Sequence, residues 1–243
     1  MTSTGSATAA ATPKVFSSVD DALHDLSPGA SIAVGGFGLV GNPEACIKAI
    51  ARKGVDRLTI ISNNCGNQGR GLAVLLQQRQ VARVVCSFVG GNPDLESQML
   101  AGEVEVELNP QGTLAERLRA GGAGIRAFFT PTGAETVVAQ GKEVREFDGR
   151  PCVLETALNP DFAIVRAAVG DPLGNLRFYR TARSFNPLAA MAGRITVVEV
   201  DELVPVGALD PDDIHLPGVF VQRIVHVPDH ENFIEFRTTR EPG

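Results

Sequence analysis

The chain has no tryptophan, one tyrosine and only four cysteines among its 243 residues. The cysteines show no CxxC spacing and lie in or beside apolar segments, which predicts reduced, buried thiols rather than a disulfide framework. Cys65 stands apart because its loop is rich in glycine and asparagine. The four residues are Cys46, Cys65, Cys86 and Cys152.

Clusters of basic residues and long apolar runs are also missing. A net charge of -6 without Lys/Arg blocks argues against a nucleic-acid partner, because binding to a phosphate backbone needs clustered cations. A membrane-spanning helix needs about 20 apolar residues, and no apolar run approaches that length, so we predict no membrane segment. The first dozen residues lack a basic residue, which predicts a cytoplasmic protein with a disordered tail over residues 1–13.

Several catalytic motifs are absent as well. GxxxxGK[ST], GxSxG and HExxH do not occur, which argues against a P-loop, a serine-hydrolase elbow and a zinc protease site. The glycine-rich GGFG after the first strand falls in the one GxGxxG spacing, GFGLVG, and we predict a tight turn there rather than a dinucleotide fingerprint. The four histidines are too scattered for a metal site, and we predict surface or structural roles for His24, His215, His226 and His230.

The residues that are present predict an α/β protein. Four consecutive units run from a strand through a loop to a helix, with the strands SIAV, LTIIS, ARVVCS and VEVEL. Parallel strands need helical crossovers, so this order predicts an open parallel sheet flanked by helices. Asp148-Gly149 joins two alternating runs and predicts an antiparallel hairpin beside the main sheet. We predict one domain over residues 14–230 and a polar C-terminal tail over 231–243.

Ligands of an open parallel sheet bind outside the carboxyl ends of its strands. The four loops at that edge are rich in glycine and neutral amides and contain no His, no Lys and no Asp/Glu pair, which suits an anion or a carbonyl. An isolated glutamine in such a loop is more often a solvated side chain, and Arg117 and Arg119 are predicted on the exposed face of a helix, pairing with Glu116. The loop residues are Gly35, Gly36, Phe37, Asn63, Asn64, Gly90, Gly91, Asn92, Asn109 and Gln111.

Several segments, in order from about residue 15 to about residue 227, resemble one enzyme family. They include SIAVGGFGLVGNP, ISNNCGNQGRG, GEVEVELNPQGTLAERLRAGGAGIRAFFTPTG and GRITVVEVDELV. The chain is similar to the A (α) subunit of family I 3-oxoacid CoA-transferases, which include succinyl-CoA:3-oxoacid, 3-oxoadipate and acetate/acetoacetate enzymes. The resemblance implies the CoA-transferase fold of the NagB/RpiA type.

The resemblance also implies a double displacement with coenzyme A as a substrate and no permanently bound cofactor. A glutamate attacks an acyl-CoA thioester, and an anhydride and then an enzyme-CoA thioester follow. That glutamate lies in a Ser-Glu-Asn-Gly motif of the B (β) subunit, and this chain has no such motif. The expected partner is therefore a β subunit in an α2β2 assembly, with an αβ assembly left open.

Site residues follow from the resemblance. Gln111 is expected to donate to the oxyanion or carbonyl, and Asn63 to bind a carboxylate or carbonyl through its amide. Glycines allow close backbone approach, and Phe37 is expected to keep water from the anhydride. The expected substrate-binding residues are Gly35, Gly36, Phe37, Asn64 and Gly90.

Two other functions remain as alternatives: a hydrolase or ring-cleaving enzyme that acts on acyl-CoA with the same paired fold, and a ligand-sensing module. Substrate choice is also open. Gly91 in VGGNP lies where relatives of the succinyl-CoA type often carry GEN, and the following NP and the short hairpin are closer to bacterial acetate/acetoacetate forms. The sequence does not fix the CoA donor, the acceptor or the pathway.

Overall fold

The structure is a computed structural model that describes residues 14–67, 69–229 and 231–234. The predicted tail over 1–13 and residues 235–243 lie outside the described residues. Strands and helices alternate through the first half. The elements are β1 (Val15–Phe16), α1 (Val19–Ala22), β2 (Ser31–Val34), α2 (Glu44–Lys53), β3 (Leu58–Ile61), α3 (Ala73–Gln77), β4 (Val81–Cys86), α4 (Pro93–Leu100), β5 (Glu105–Leu108) and α5 (Gln111–Gly122).

Strands dominate the described part of the second half, where four short 3₁₀ helices join the regular elements. The elements are β6 (Ala127–Thr130), β7 (Val144–Phe147), β8 (Arg150–Thr156), β9 (Phe162–Gly170), β10 (Leu176–Arg177), α6 (Asn186–Ala192), β11 (Ile195–Leu203) and β12 (Arg223–His226). The 3₁₀ helices cover Val137–Ala139, Arg180–Arg183, Pro211–Asp213 and Gly218–Phe220. No helix among the described residues is long and apolar enough to cross a bilayer.

The main sheet has the order β1-β12-β11-β9-β2-β3-β4-β5, with parallel pairing along this path, and β10 pairs antiparallel with β9. The predicted units β2 to β5 lie side by side, which confirms the open parallel sheet. The chain then returns to the opposite side of β2 with β9, β11 and β12. Strand order therefore reverses between β2 and β9, the place where such sheets form a ligand crevice.

Alternate side chains of the central strands enter two separate cores, as the pleat of a buried strand requires. Ile32, Ile60 and Val84 pack against α1 to α4 on one face. Their neighbours along the strands, Ala33, Ile61 and Val85, pack against α5 and α6 on the other face. Both faces of the sheet are covered by helices, as predicted.

The predicted hairpin is confirmed as β7 and β8, which meet through Asp148-Gly149. Both turn residues have positive φ, 50° for Asp148 and 75° for Gly149, as tight hairpin turns require. β6 adds a third antiparallel strand to this small sheet, a strand that the sequence patterns did not predict.

The apolar spacing of SSVDDALHDL predicts a helix over 17–26 with Ser17 or Ser18 at its N-cap, and TLAERLRAG predicts a helix that follows the NPQG loop. Both helices differ from these bounds. α1 is shorter than the predicted run over 17–26, because beyond Ala22 the hydrogen bonds tighten to the i to i+3 pattern of His24 N–H to Asp21 O. Ser18 caps this helix, as predicted, by accepting from Asp21 N–H at 3.1 Å. α5 begins at Gln111 rather than after the NPQG loop, because Pro110 accepts from Leu114 N–H at 2.9 Å and closes a first turn.

Candidate active site

The loops that follow β2, β3, β4 and β5 lie side by side at the carboxyl edge of the sheet. Ladder hydrogen bonds continue into them: Ser87 N–H donates to Asn63 O at 3.0 Å, and Asn109 N–H donates to Cys86 O at 2.8 Å. Neighbouring strands are about 5 Å apart, so the β3 and β5 loops are separated by roughly 10 Å. The structure thus brings Asn63 and Gln111 to one edge.

The loop after β2 passes closely against the rest of the edge. Gly35 N–H donates to Ile164 O at 3.0 Å, and a Cβ on Gly35 would lie 1.9 Å from Asn186 Oδ1. Gly36 has a φ of +99°, and a Cβ there would lie 2.1 Å from Asn42 Oδ1. Both glycines are required by close packing against side chains of this chain, and their expected approach to a substrate stays a prediction.

Phe37 lies at the tip of this loop. Its backbone pairs with Val40, its ring centroid is 6.4 Å from that of Phe185, and its side chain is 45% exposed. Gly90, in the loop after β4, is half-buried, and a Cβ there would lie 2.9 Å from the exposed Phe88 ring. The edge therefore presents two exposed aromatic rings beside its glycines.

Asn63 is buried beside Ser87, and the two side chains are joined. Asn63 Nδ2 donates to Ser87 Oγ at 2.8 Å, while the Ser87 hydroxyl donates to Asn63 O at 3.1 Å. One of the two amide hydrogens is therefore engaged, and Ser87 fixes which way the amide points. Asn64 is half-buried next to it. Ser87 is a residue that sequence reasoning missed, because serine at a strand end is common in ordinary loops.

Gln111 is exposed and is the first residue of α5. No side chain caps this helix end; the N-cap residue is Pro110. The unpaired N–H groups of a helix start carry partial positive charge, which favours an anion beside them. The Gln111 amide thus lies where a second source of positive potential already exists.

Arg117 was predicted on the exposed face of the helix, and that prediction is wrong. Its side chain is buried, because Nη1 donates to Glu107 Oε1 at 2.5 Å and to Asn109 Oδ1 at 2.6 Å, and Nε donates to Thr156 O at 2.7 Å. Arg119 is exposed and binds Glu116, as predicted. The nearby Glu107 in β5 was the signal that a buried ion pair was available.

A cleft of about 820 Å³ opens at the point where strand order reverses. Arg166 of β9 lies at this cleft, and its guanidinium forms two hydrogen bonds with the Asp201 carboxylate, at 3.0 and 2.9 Å. Asn232 accepts from Arg166 Nη1 at 2.5 Å. Sequence reasoning missed this pair, although a lone arginine inside the apolar run FAIVRAAVG was a usable signal.

The chain is similar to known proteins over most of its length. The coenzyme A transferase family model matches residues 16–227. The chain belongs to the coenzyme A transferase family. It is 54% identical over 227 residues to the A subunit of succinyl-CoA:3-ketoacid coenzyme A transferase from Helicobacter pylori, covering 93% of this chain and 98% of that protein. It is 56% identical over 216 residues to the A subunit of the same name from Xanthomonas campestris pv. campestris, covering 89% of each.

A solved structure shows the same fold. The acyl-CoA transferase YdiF from E. coli O157:H7, in a thioester complex with CoA, matches with a TM-score of 0.81 and 23% identity. The match covers 94% of this chain and 52% of that chain, so this coenzyme A transferase chain spans about half the length of YdiF. The predicted family and fold are confirmed.

The cysteines of this transferase chain are free and buried, as predicted, including Cys65. Burial raises the pKa of the Cys65 thiol and, to about 11, that of Cys86, so neither is a ready nucleophile. His215 Nδ1 accepts from Phe178 N–H at 3.0 Å, a structural role. No group of three or more His, Cys, Asp or Glu side chains in the described ranges has the arrangement of a metal site.

Proposed function

We propose that this chain is the A (α) subunit of a heteromeric CoA-transferase that moves CoA between an acyl-CoA and a 3-oxo acid or short-chain carboxylate. The proposal depends on one observation above all, the placement of the neutral donors Gln111 and Asn63 on one edge of a coenzyme A transferase fold. The relatives are named as A subunits of succinyl-CoA:3-ketoacid coenzyme A transferase, which supports succinyl-CoA as donor and a 3-oxo acid as acceptor.

The proposed reaction is a ping-pong exchange on a glutamate of the β subunit. The glutamate carboxylate attacks the thioester carbonyl, and the tetrahedral oxyanion collapses to an acyl-glutamyl anhydride as the CoA thiolate leaves. The thiolate then attacks the glutamyl carbonyl and releases the first carboxylate, which leaves a glutamyl-CoA thioester. The acceptor carboxylate runs the same two steps in reverse. CoA is a substrate throughout, and no further cofactor is needed.

Gln111 is proposed to stabilise the oxyanions of this sequence. Its amide is a neutral donor, so it stabilises negative charge without competing as a base or as a nucleophile. The uncapped start of α5 adds positive potential at the same position. A lysine there would pair with the incoming carboxylates and hold them in the ground state, which would not accelerate the chemical step.

Asn63 is proposed to bind the substrate carboxylate or reacting carbonyl with the amide hydrogen that Ser87 leaves unengaged. The half-buried Asn64 and the backbone at Gly35, Gly36 and Gly90 complete the proposed substrate-binding surface. Phe37 is proposed to exclude water from the anhydride once the β subunit covers it, because its ring is half exposed in this chain alone.

The proposed assembly is α2β2 in the cytoplasm, a reducing compartment that suits the four free thiols. A direct test compares the purified chain alone with the chain co-expressed with the β subunit, using succinyl-CoA and acetoacetate. Transfer is expected only from the pair. Transfer at full rate by this chain alone would contradict the proposal, and a panel of CoA donors assayed with the pair would identify the substrate.

A further inference from the structure

Arg117 links three separate parts of the chain from inside α5. Its guanidinium donates to the Glu107 carboxylate of β5, to the Asn109 side chain and to the backbone oxygen of Thr156 in β8. Only 7% of its side chain is exposed. A buried, multiply bonded guanidinium fixes its partners in place, since any shift leaves a buried donor or acceptor without a partner.

Asn109 carries that constraint to Gln111. Its side chain is buried, its Oδ1 accepts from Arg117, and its backbone N–H donates to Cys86 O of β4. Only Pro110 separates Asn109 from Gln111, and the proline ring restricts its φ, which is -54°. The backbone between Asn109 and Gln111 therefore has little conformational freedom.

Glu107 binds a second arginine besides Arg117, so its carboxylate is fixed by two partners. Arg83 of β4 donates to Glu107 Oε2 at 2.7 Å, while Arg117 takes Oε1. Burial alone would raise the pKa of Glu107, but the hydrogen bond and charge of Arg117, with smaller effects from Asn109 and Arg83, hold that pKa below its usual range. Glu107 therefore stays ionised at neutral pH and keeps both arginines engaged.

We propose that Arg117 is a positioning residue for the transfer reaction. It acts through Asn109 and Pro110 to hold the Gln111 amide in the orientation that stabilises the oxyanion, and it does not touch the substrate. This inference rests on the proposed role of Gln111. It extends that role by assigning a task to a buried arginine that reaches the edge only through Asn109.

The test uses the complex with the β subunit and compares wild type, Arg117→Lys, Gln111→Ala and the double variant. Lysine keeps the charge beside Glu107 but lacks the planar fork that serves several acceptors at once. Arg117→Lys is expected to lower kcat about 10- to 100-fold with KM changed less than about threefold. In the Gln111→Ala background the same substitution is expected to lower kcat by less than about threefold, because no amide remains to be misplaced.

Arg119→Lys is the matched control, because Arg119 lies in the same helix but is exposed and bound to Glu116, and its kcat is expected to equal wild type. Asn109→Ala removes one acceptor and leaves the Arg117–Glu107 pair, and it is expected to reproduce the Arg117→Lys result. It takes the place of Arg117→Lys if that variant does not co-purify with the β subunit.

Unchanged kcat in Arg117→Lys and Asn109→Ala overturns the positioning role. An equal fold loss of kcat for Arg117→Lys with and without the Gln111 amide overturns it as well. Wild-type kcat in Gln111→Ala overturns instead the proposed function of Gln111 and this inference with it, so the two failures are distinguished.

Discussion

Gln111 places an amide donor at the uncapped start of α5, and both features favour negative charge at one point. At the scale of single residues, the proposed site consists of neutral groups whose directions are fixed by neighbours. Ser87 orients Asn63, and the Arg117 network constrains the backbone before Gln111.

Replacing Gln111 separates activity from stability. Gln111→Ala is expected to lower kcat of the complex by about 10²- to 10³-fold, the usual effect of losing one oxyanion donor. Gln111→Glu is expected to be as inactive yet at least as stable, since a carboxylate at a helix start is favourable to the helix but repels an oxyanion. Steady-state kinetics and thermal unfolding measure the two effects.

Gln78→Ala is the control for these substitutions, because Gln78 is also exposed but lies at the C-cap of α3, at the opposite edge of the sheet. Its kcat is expected to match wild type. A Gln111→Glu complex with wild-type kcat would show that the oxyanion does not form beside this residue.

Removing the Ser87 hydroxyl tests whether Asn63 must be oriented. Ser87→Ala is expected to lower kcat/KM about 5- to 10-fold, corresponding to roughly 1 kcal/mol for one lost hydrogen bond. Ser87→Thr keeps the hydroxyl and is expected to recover most of the rate. Ser97→Ala is the matched control, because Ser97 is an exposed residue of α4. Equal kcat/KM for Ser87→Ala and wild type would contradict the proposed role of Asn63.

At the scale of elements, the start of α2 is stabilised by a residue of a distant strand. α2 has no side-chain cap at Pro43, and its Cys46 N–H donates instead to Glu199 Oε2 of β11 at 3.0 Å. Glu199 is buried, and this burial raises its pKa to about 7, although the Cys46 hydrogen bond and the Arg166 charge lower it. Glu44 on α2 faces the same carboxylate and raises the pKa further.

This raised pKa makes stability depend on pH in a defined direction. The folded pKa of Glu199, about 7, lies above its ordinary value of 4.5, so the folded state binds the proton more tightly. The stabilisation is fully present below the unfolded pKa and is lost as pH rises through about 7. The difference corresponds to roughly 3 kcal/mol of unfolding free energy.

Denaturant titrations of wild type and Glu199→Gln between pH 5 and 8.5 measure how the free energy of unfolding depends on the ionisation of Glu199. Wild type is expected to lose about 2.5 kcal/mol relative to Glu199→Gln across that range, since part of the stabilisation is already lost at pH 5. Glu116→Gln is the control, because hydrogen bonds from Arg119 lower the pKa of this exposed carboxyl and place its titration below the range. Parallel pH curves for wild type and Glu199→Gln would contradict the assignment.

Strands, helices and the hairpin were predicted correctly from the sequence where local residue patterns determine them. The units β2 to β5 and the Asp148-Gly149 hairpin follow from apolar periodicity and turn chemistry, which act over a few residues. The ion pairs did not follow, because the partners of Arg117–Glu107 and Arg166–Asp201 lie on different elements, 10 and 35 residues apart, and meet only once the tertiary packing is formed. A charged residue in a helix is predicted to be exposed until the packing of that helix against the sheet is known.

The site residues show the same division. The carboxyl-edge location of Asn63 and Gln111 follows from the order of strands and helices, while their roles came from resemblance to a family. Ser87 gave no signal, because its partner Asn63 lies in the loop after β3 and the contact depends on the parallel pairing of β3 and β4. The start of α5 was misplaced by two residues, because a turn closed by the Pro110 carbonyl leaves little trace in the sequence.

At the scale of the whole molecule, the proposed function makes this chain one half of a reaction centre. It belongs to the coenzyme A transferase family, spans about half the length of YdiF, and presents donors and exposed aromatic rings at one edge of its sheet. In the proposed complex that edge faces the β subunit, which brings the attacking carboxylate. Neutral groups on one polypeptide and a nucleophile on the other would make catalysis depend on assembly.

Intact-mass spectrometry of the complex after mixing with acyl-CoA alone tests this division most directly. We expect a covalent CoA adduct on the β subunit, none on this chain, and slower adduct formation in the Gln111→Ala complex. An adduct on this chain, or turnover with the β subunit left unmodified throughout, would contradict the division.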